Sequence, residues 1–495
     1  MTDLPTYTQP VIVAVAVGYF AVVVAISVWA ARRTRTANDF FLAGKRIGLI
    51  ALALSSMSVT VSGFIFIGGP GLVYTMGLGG VFLILPAAIT SSLVAWVLAR
   101  RMRLLAEVRG VMTVSDAIGA RYQSPAAQGL SAVAILIAIV GYTATNILAL
   151  GVVIHAIFGV GLTWGIWGGM AITLAYSASG GILAGIYNDV MQGTLMAVAS
   201  VLVFVFVLQA GGGMSGLSTT ILAADARFLS PWGTVTPLAA LSLFFVFGMG
   251  TLGQPHVVHK FYMLRDPRQL KWYPALMTAT LVLTLLIYVG VGLAVKALVV
   301  RGELPPLASP DDATPSFLLL HTPILLAALV FSGVAAAIMS TVNSFLNVGA
   351  AAITHDLPVA LGRPLSNELR VGRLSTIAIS LAAALLAQLS GTMVAFLGIF
   401  GWGLFASTLV PSLAVGLNWA GATRAGAIAS ISTGLVVTLL FETMAYFKVY
   451  SFPVGVTVSG LSLVLSMLVF FTVSWFTRRS AASSLPADVR LVMES

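Results

Sequence analysis

An all-α, polytopic membrane protein is the fold class this sequence predicts, and three observations predict it. Of its 495 residues 59% are apolar and only 8% are charged, too few polar groups to coat a water-soluble fold of this size. Apolar runs of the length a bilayer crossing needs, about 20 residues, recur along the whole chain, as helices and not as the alternating strands of a barrel. Two of these runs are broken by glycine and proline in matching places, which points to paired discontinuous helices.

Hydropathy, punctuated by Gly, Pro and charge, places spans at 9–31, 48–75, 77–99, 127–154, 162–179, 184–209, 236–261, 273–298, 322–353, 372–389, 392–417, 425–441 and 453–477, thirteen helices in one transmembrane domain over 1–495. The first is read as a retained anchor, because "MTDLPTYTQP" carries no basic residue and Arg32, Arg33 and Arg35 follow the apolar run instead of preceding it. An odd number of spans sends the termini to opposite sides. With the N-terminus outside, all 25 Lys and Arg except Arg227, Lys296, Arg301 and Lys448 fall inside, as the positive-inside rule requires. The expected address is therefore a bacterial cytoplasmic (inner) membrane, multi-pass, with the C-terminus and a cytoplasmic tail at 478–495 inside.

The net charge of +10 does not indicate a nucleic-acid partner, since the basic residues are scattered over short loops without a stripe or interleaved aromatics. Membrane lipid is the expected surface partner. Cysteine is absent, which excludes disulfides, thiolate metal sites and cysteine nucleophiles. No nucleophile–base pair or metal cluster is visible, and His155, His256, His259, His321 and His355 are all read as lying at span ends, so an enzyme is not expected.

The interrupted spans read "SSMSVTVSGFIFIGGPG" (55–71) and "FVFGMGTLGQPHVVHKF" (245–261). Small residues in membrane helices commonly serve close packing. Here two breaker-rich helices lie five spans apart, so a first repeat over 48–209 would be followed by an inverted one over 236–417. Two additional helices would complete the chain at 425–477. A broken helix frees backbone carbonyls that neighbours, ions or solute must satisfy.

A third stretch, "AAIMSTVNS" (336–344), places Ser340, Asn343 and Ser344 on one helix face, with Thr341 beside them. Such hydroxyls often bond back to the preceding turn. Clustered, they offer neutral oxygens that, with freed carbonyls, suit a small monovalent cation, whereas a divalent ion would want more carboxylate. The acid placed well within a span is Asp189, in "GIYNDVMQ". It could cap its helix or act at a site.

These segments, with "DFFLAGKRIG" (39–48), "GGPGLVY" (68–74), "GGILAGIYNDVMQ" (180–192), "GQPHVVHKF" (253–261) and "NWAGATRAGA" (418–427), resemble the sodium:solute symporter family, whose members carry proline, sugars, pantothenate, monocarboxylates and sialic acid. The resemblance runs in order over nearly the whole chain. It implies a five-plus-five inverted repeat, with one helix before it and two after. It implies a sodium site made by the backbone oxygens of Ser58, Val61 and Ala337 and the hydroxyls of Ser340 and Thr341. A second sodium, present in some members, would use Asp189, Ser340, Asn343 and Ser344, although Asn343 and Ser344 stand where two serines are expected. The solute would touch Ser62, Phe64, Tyr142, Phe247, Thr251 and Gln254.

Sodium is thus the expected bound ion and a small organic solute the expected cargo, moved by alternating access in a monomer. Ile65 stands where the sugar branch has a glutamine. "GQPH" resembles the proline branch, yet Thr60 replaces that branch's aspartate, and Phe247 and Thr251 replace its tryptophan and tyrosine. The implied cargo is an amino acid such as proline or a small carboxylate; a sodium:sugar symporter, or a proton-coupled or sodium-independent carrier of the same fold, stays open.

Overall fold

The computed structural model describes residues 8–32, 47–177, 182–363, 365–391, 393–450, 452, 456–481 and 485–494. Arg33, Arg35, and the motif residues at 39–46 and 180–181 lie outside these. Fourteen principal helices organise the described residues: α1 (Thr8–Ala31), α2 (Leu49–Thr60), α3 (Gly69–Met76), α4 (Leu85–Val94), α5 (Pro125–Phe158), α6 (Leu162–Ser177), α7 (Ile182–Gly211), α8 (Pro237–Gly250), α9 (Tyr273–Val300), α10 (Ile324–Ala351), α11 (Glu368–Ser390), α12 (Val394–Leu409), α13 (Arg424–Tyr446) and α14 (Val458–Ala481). Extended pairing among the described residues is limited to a parallel bridge between Ile47 and Leu264.

Local chemistry sets many of the helix ends. Ser124 and Thr236 start α5 and α8 by accepting from the amides of Ala127 and Ala239, each with a proline at the first helical position. Gly159 ends α5 with φ +63°, a conformation that costs glycine little. Pro411 converts the end of α12 into a π-helical stretch, Val410–Val415, because it lacks the amide an α-helix would use.

Nine helices among the described residues are long and apolar enough to cross a membrane. Pro237–Gly253 and Pro255–Met263, bent by 42°, make ten if counted as one span, and shorter apolar helices cover Pro10–Ile26, Leu49–Thr60 and Leu162–Ala175. Helix α3 ends at Met76, capped by Gly77 with φ +65°, next to the boundary expected between 75 and 77. The interruption within the first of these spans comes after Thr60, and beyond Gly77 a 3₁₀ stretch, Gly77–Leu83, leads on toward α4. Val17, Val201, Leu385 and Phe476 stand exposed on the outer helices, as side chains facing lipid should.

At the centre, α2, α5, α7, α10 and α12 pack on one another, with α9 against α7 and the α13–α14 pair against α12. One end is tied by backbone bonds from Ile47 N to Met263 O (3.2 Å) and Arg265 N to Ile47 O (2.9 Å). There Arg103 donates to Leu264 O at 3.3 Å. The terminal segment is no loose tail: helix Ala487–Glu494 docks on Arg100–Val108, burying Val489 and Val492, with Asp488 paired to Arg109.

Candidate functional site

The first break has a simple backbone cause. Val61 N–H still closes on Met57 O at 2.7 Å, but Val61 itself leaves helical geometry with φ −91° and ψ 77°. The next turn is organised differently, with Phe64 N donating to Ser62 Oγ at 3.4 Å and Ile65 N to Ser62 O at 3.0 Å. The last four carbonyls of a helix lack intrahelical partners, here Ser58 to Val61. A π-helical stretch, Phe64–Gly68, then carries the chain into α3. Gly63 is needed at this joint because a Cβ would sit 2.6 Å from Ala149 Cβ.

α10 packs against α2 and α7. Its Ser340, Thr341 and Asn343 are buried and Ser344 is half-buried. Thr341 Oγ1 donates to Ala337 O at 2.9 Å, the back-bond expected of a hydroxyl in a helix. Ser340 Oγ instead leaves its helix and donates to Asp189 Oδ1. The Asn343 carbonyl oxygen is buried without a hydrogen bond.

Asp189 is the hub. Ser55 Oγ donates to its Oδ2 at 2.6 Å, and Lys260 Nζ reaches the same oxygen at 2.8 Å. Lys260 Nζ also lies 2.8 Å from Ser55 O and 2.6 Å from Ser55 Oγ. Both charged side chains are almost wholly buried, at 6% and 3% exposed. Ser58 Oγ faces Gln192 Oε1 at 3.5 Å, one turn along. Four elements thus meet on one carboxylate: α2, α7, α10 and the inner part of the second broken helix.

The expected solute residues also converge, around stacked rings. Phe64 and Phe247 lie parallel with centroids 5.6 Å apart, and Phe247 stacks on Trp402 at 5.2 Å. Tyr142 meets Trp402 edge-on at 6.1 Å and Phe345 at 4.9 Å. Thr251 Oγ1 bonds back to Phe247 O at 2.9 Å, and Gln254 Nε2 to Gly250 O at 3.0 Å. Gln254 Oε1, Trp402 Nε1 and both ring nitrogens of His256 are buried without a hydrogen bond, and buried polar atoms of this kind normally find partners. A groove of about 320 Å³ is lined by Val97, Met249, Leu252, Val410, Asn418 and Trp419 among others and by none of the six expected solute residues.

Three residues in this region escaped the reading of the sequence. Lys260 was counted as a loop cation, and its partner 71 positions away leaves no local signal. His256 is not a span-end histidine: it lies 2% exposed, 4.5 Å from the Phe345 ring, because the second helix breaks before it, at Gln254, and turns it inward. Trp402 carries the aromatic stack, and its neighbour α8 accommodates it with Gly250, where any Cβ would overlap the indole. Near the same end as Lys260, the ligand atoms of Asp116, His355 and Asp356 lie within 4.8 Å of one another, with Thr113 donating to Asp356 at 2.7 Å.

A sequence profile of the sodium:solute symporter family matches residues 40–434. The sodium/pantothenate symporter of Escherichia coli is 28% identical over 466 residues, covering 92% of this chain and 94% of its own. The sodium/proline symporter of Haemophilus influenzae is 28% identical over 463 residues, 90% of this chain and 91% of its own. Among solved structures, a Na+-coupled sialic acid symporter in a substrate-bound outward-open state aligns with a TM-score of 0.75 and 20% identity, covering 95% of this chain and 98% of that one. The nucleobase-cation-symport-1 family transporter Mhp1 in a closed conformation aligns at 0.54 and 14% identity over 93% of this chain and 99% of its own.

Proposed function

We propose, from the premise that this chain belongs to the sodium:solute symporter family, that it takes up proline or a similarly compact amino acid together with sodium, by alternating access. The observation that carries the reading is that α2, which leaves helical geometry at Val61, packs against α10, which buries the hydroxyl residues Ser340 and Thr341. The backbone oxygens of Ser58, Val61 and Ala337 and these two hydroxyls are the proposed sodium ligands. A neutral oxygen set matches a monovalent ion, since it removes hydration without demanding several carboxylates.

The solute is placed among Ser62, Phe64, Tyr142, Phe247, Thr251 and Gln254, with Trp402 and His256 added. Ring faces at Phe64, Phe247 and Trp402 suit a small apolar ring, and the unpartnered atoms of Gln254, Trp402 and His256 suit its few polar groups. Here the aromatic rings fill the space between them, so admission of solute requires the stack to part. The proline relatives support an amino acid; the pantothenate relative supports a small carboxylate as the second reading.

Sodium entering a cell releases about 2.3 kcal/mol per charge per 100 mV, and this drives the cycle. Coupling needs sodium to favour the solute-competent state by about 1–3 kcal/mol if it is typical of linked sites. We place the protein as a monomer in the cytoplasmic membrane of a bacterium, surrounded by lipid, with its N-terminus outside and its C-terminus inside, as the distribution of basic residues supports. Thermal shift of purified protein with proline, other amino acids, pantothenate and sugars, each in sodium and in choline, tests the cargo. A shift by proline that appears in sodium alone is expected; one by sugars alone would overturn the assignment.

A further inference from the structure

We infer that the Lys260 ammonium is a built-in cation that fills the Asp189 site, so that this chain holds one free sodium and not two. The inference rests on the sodium site proposed above. Asp189 is a buried carboxylate at the meeting of α2, α7 and α10, and alone it would be a strong attractor for a second alkali ion. The structure gives it a partner that no ion has to supply. Lys260 Nζ lies 2.8 Å from Asp189 Oδ2, 2.8 Å from Ser55 O and 2.6 Å from Ser55 Oγ, so the three donors of the ammonium all face oxygens.

Those oxygens are a carboxylate, a carbonyl and a hydroxyl, the donor set a hard monovalent cation takes. Nζ therefore stands at the place such an ion would occupy. Charge counting decides the rest. Asp189 and Lys260 neutralise each other, with 3% and 6% of their side chains exposed, and a sodium added there would leave a net positive charge away from water, which is costly.

Ser340 bridges the two regions: its Oγ donates to Asp189, so loading of the proposed sodium site must share this hydroxyl with the Lys260–Asp189 pair.

The test is equilibrium binding of radiolabelled sodium to the purified full chain, which needs no knowledge of the solute. The wild type should bind one sodium per chain. Lys260→Gln should bind two, and Lys260→Gln/Asp189→Asn should return to one. Two ions on the wild type, or one on Lys260→Gln with Asp189 intact, would overturn the inference while leaving the sodium-coupled reading standing. No sodium on the wild type would remove both. If Lys260→Gln does not fold, Lys260→Arg, which keeps the charge, and the wild-type count decide: one ion on each upholds the inference, and two on either rejects it.

Discussion

The buried pair between Lys260 and Asp189 can be tested by stability alone, apart from transport. At a separation of 2.8 Å, Coulomb's law with an effective dielectric constant of about 20 gives roughly 6 kcal/mol of attraction. Much of this is offset by the desolvation of two ions. Removing one partner is the informative change, because it strands the other: Asp189→Asn should cost about 3–5 kcal/mol. Lys260→Met should also destabilise, and sodium should restore part of its loss by binding the freed carboxylate, as any ligand of the native state must. The double variant Asp189→Asn/Lys260→Met strands no charge, so it should lose less than the sum of the single variants, by about 2–3 kcal/mol, near the upper end of couplings between contacting residues. Reversible unfolding in mixed micelles measures each corner of this cycle. Additivity within about 0.5 kcal/mol would show that the two groups do not act as a pair and would refute the reasoning.

Gly398→Ala should cost about 1–3 kcal/mol by overpacking, because its new Cβ would overlap the Phe64 ring; Phe64→Leu in the same chain should recover most of the melting temperature. Asp311, in the turn before helix Ala313–His321, accepts from Val394 N at 2.9 Å, and burial pushes its carboxyl up to about 7. Its native pKa lies above the unfolded value, so the native state holds a proton that the unfolded chain has lost, and stability falls as pH rises from about 4 toward 7. Asp311→Asn should flatten that part of the pH profile of thermal unfolding, and an unchanged slope would count against the assignment. Asp488→Asn removes an exposed partner of Arg109 and should leave solute uptake unchanged.

How much of this was legible in advance follows from the range of each interaction. Helix class, breakers and caps are local, so the two interruptions at 55–71 and 245–261 stood out, as did the hydroxyl face at 340–344. The resemblance to a family then proposed Ser58, Val61 and Ala337, whose proposed contribution is a backbone oxygen and leaves no mark in residue type. Lys260 was not legible, because a lysine near a span end reads as a loop cation until its partner in α7 is known. His256 and Trp402 were missed for the same reason. Each becomes distinctive through a break or a glycine on another element. The division between 48–75 and 77–99 was a local signal as well, since Gly77, with φ +65°, ends helix Gly69–Met76.

The central claim, that oxygens of the α2 break and the hydroxyls of α10 hold the ion that drives uptake, is tested most directly in proteoliposomes. The measurement is accumulation of radiolabelled proline under an inward sodium gradient, compared with choline and with an imposed proton gradient, for the wild type and for Ser340→Ala/Thr341→Ala. The account predicts accumulation in the wild type under sodium alone and none in the double variant. Equal sodium-driven accumulation in both proteins would contradict it.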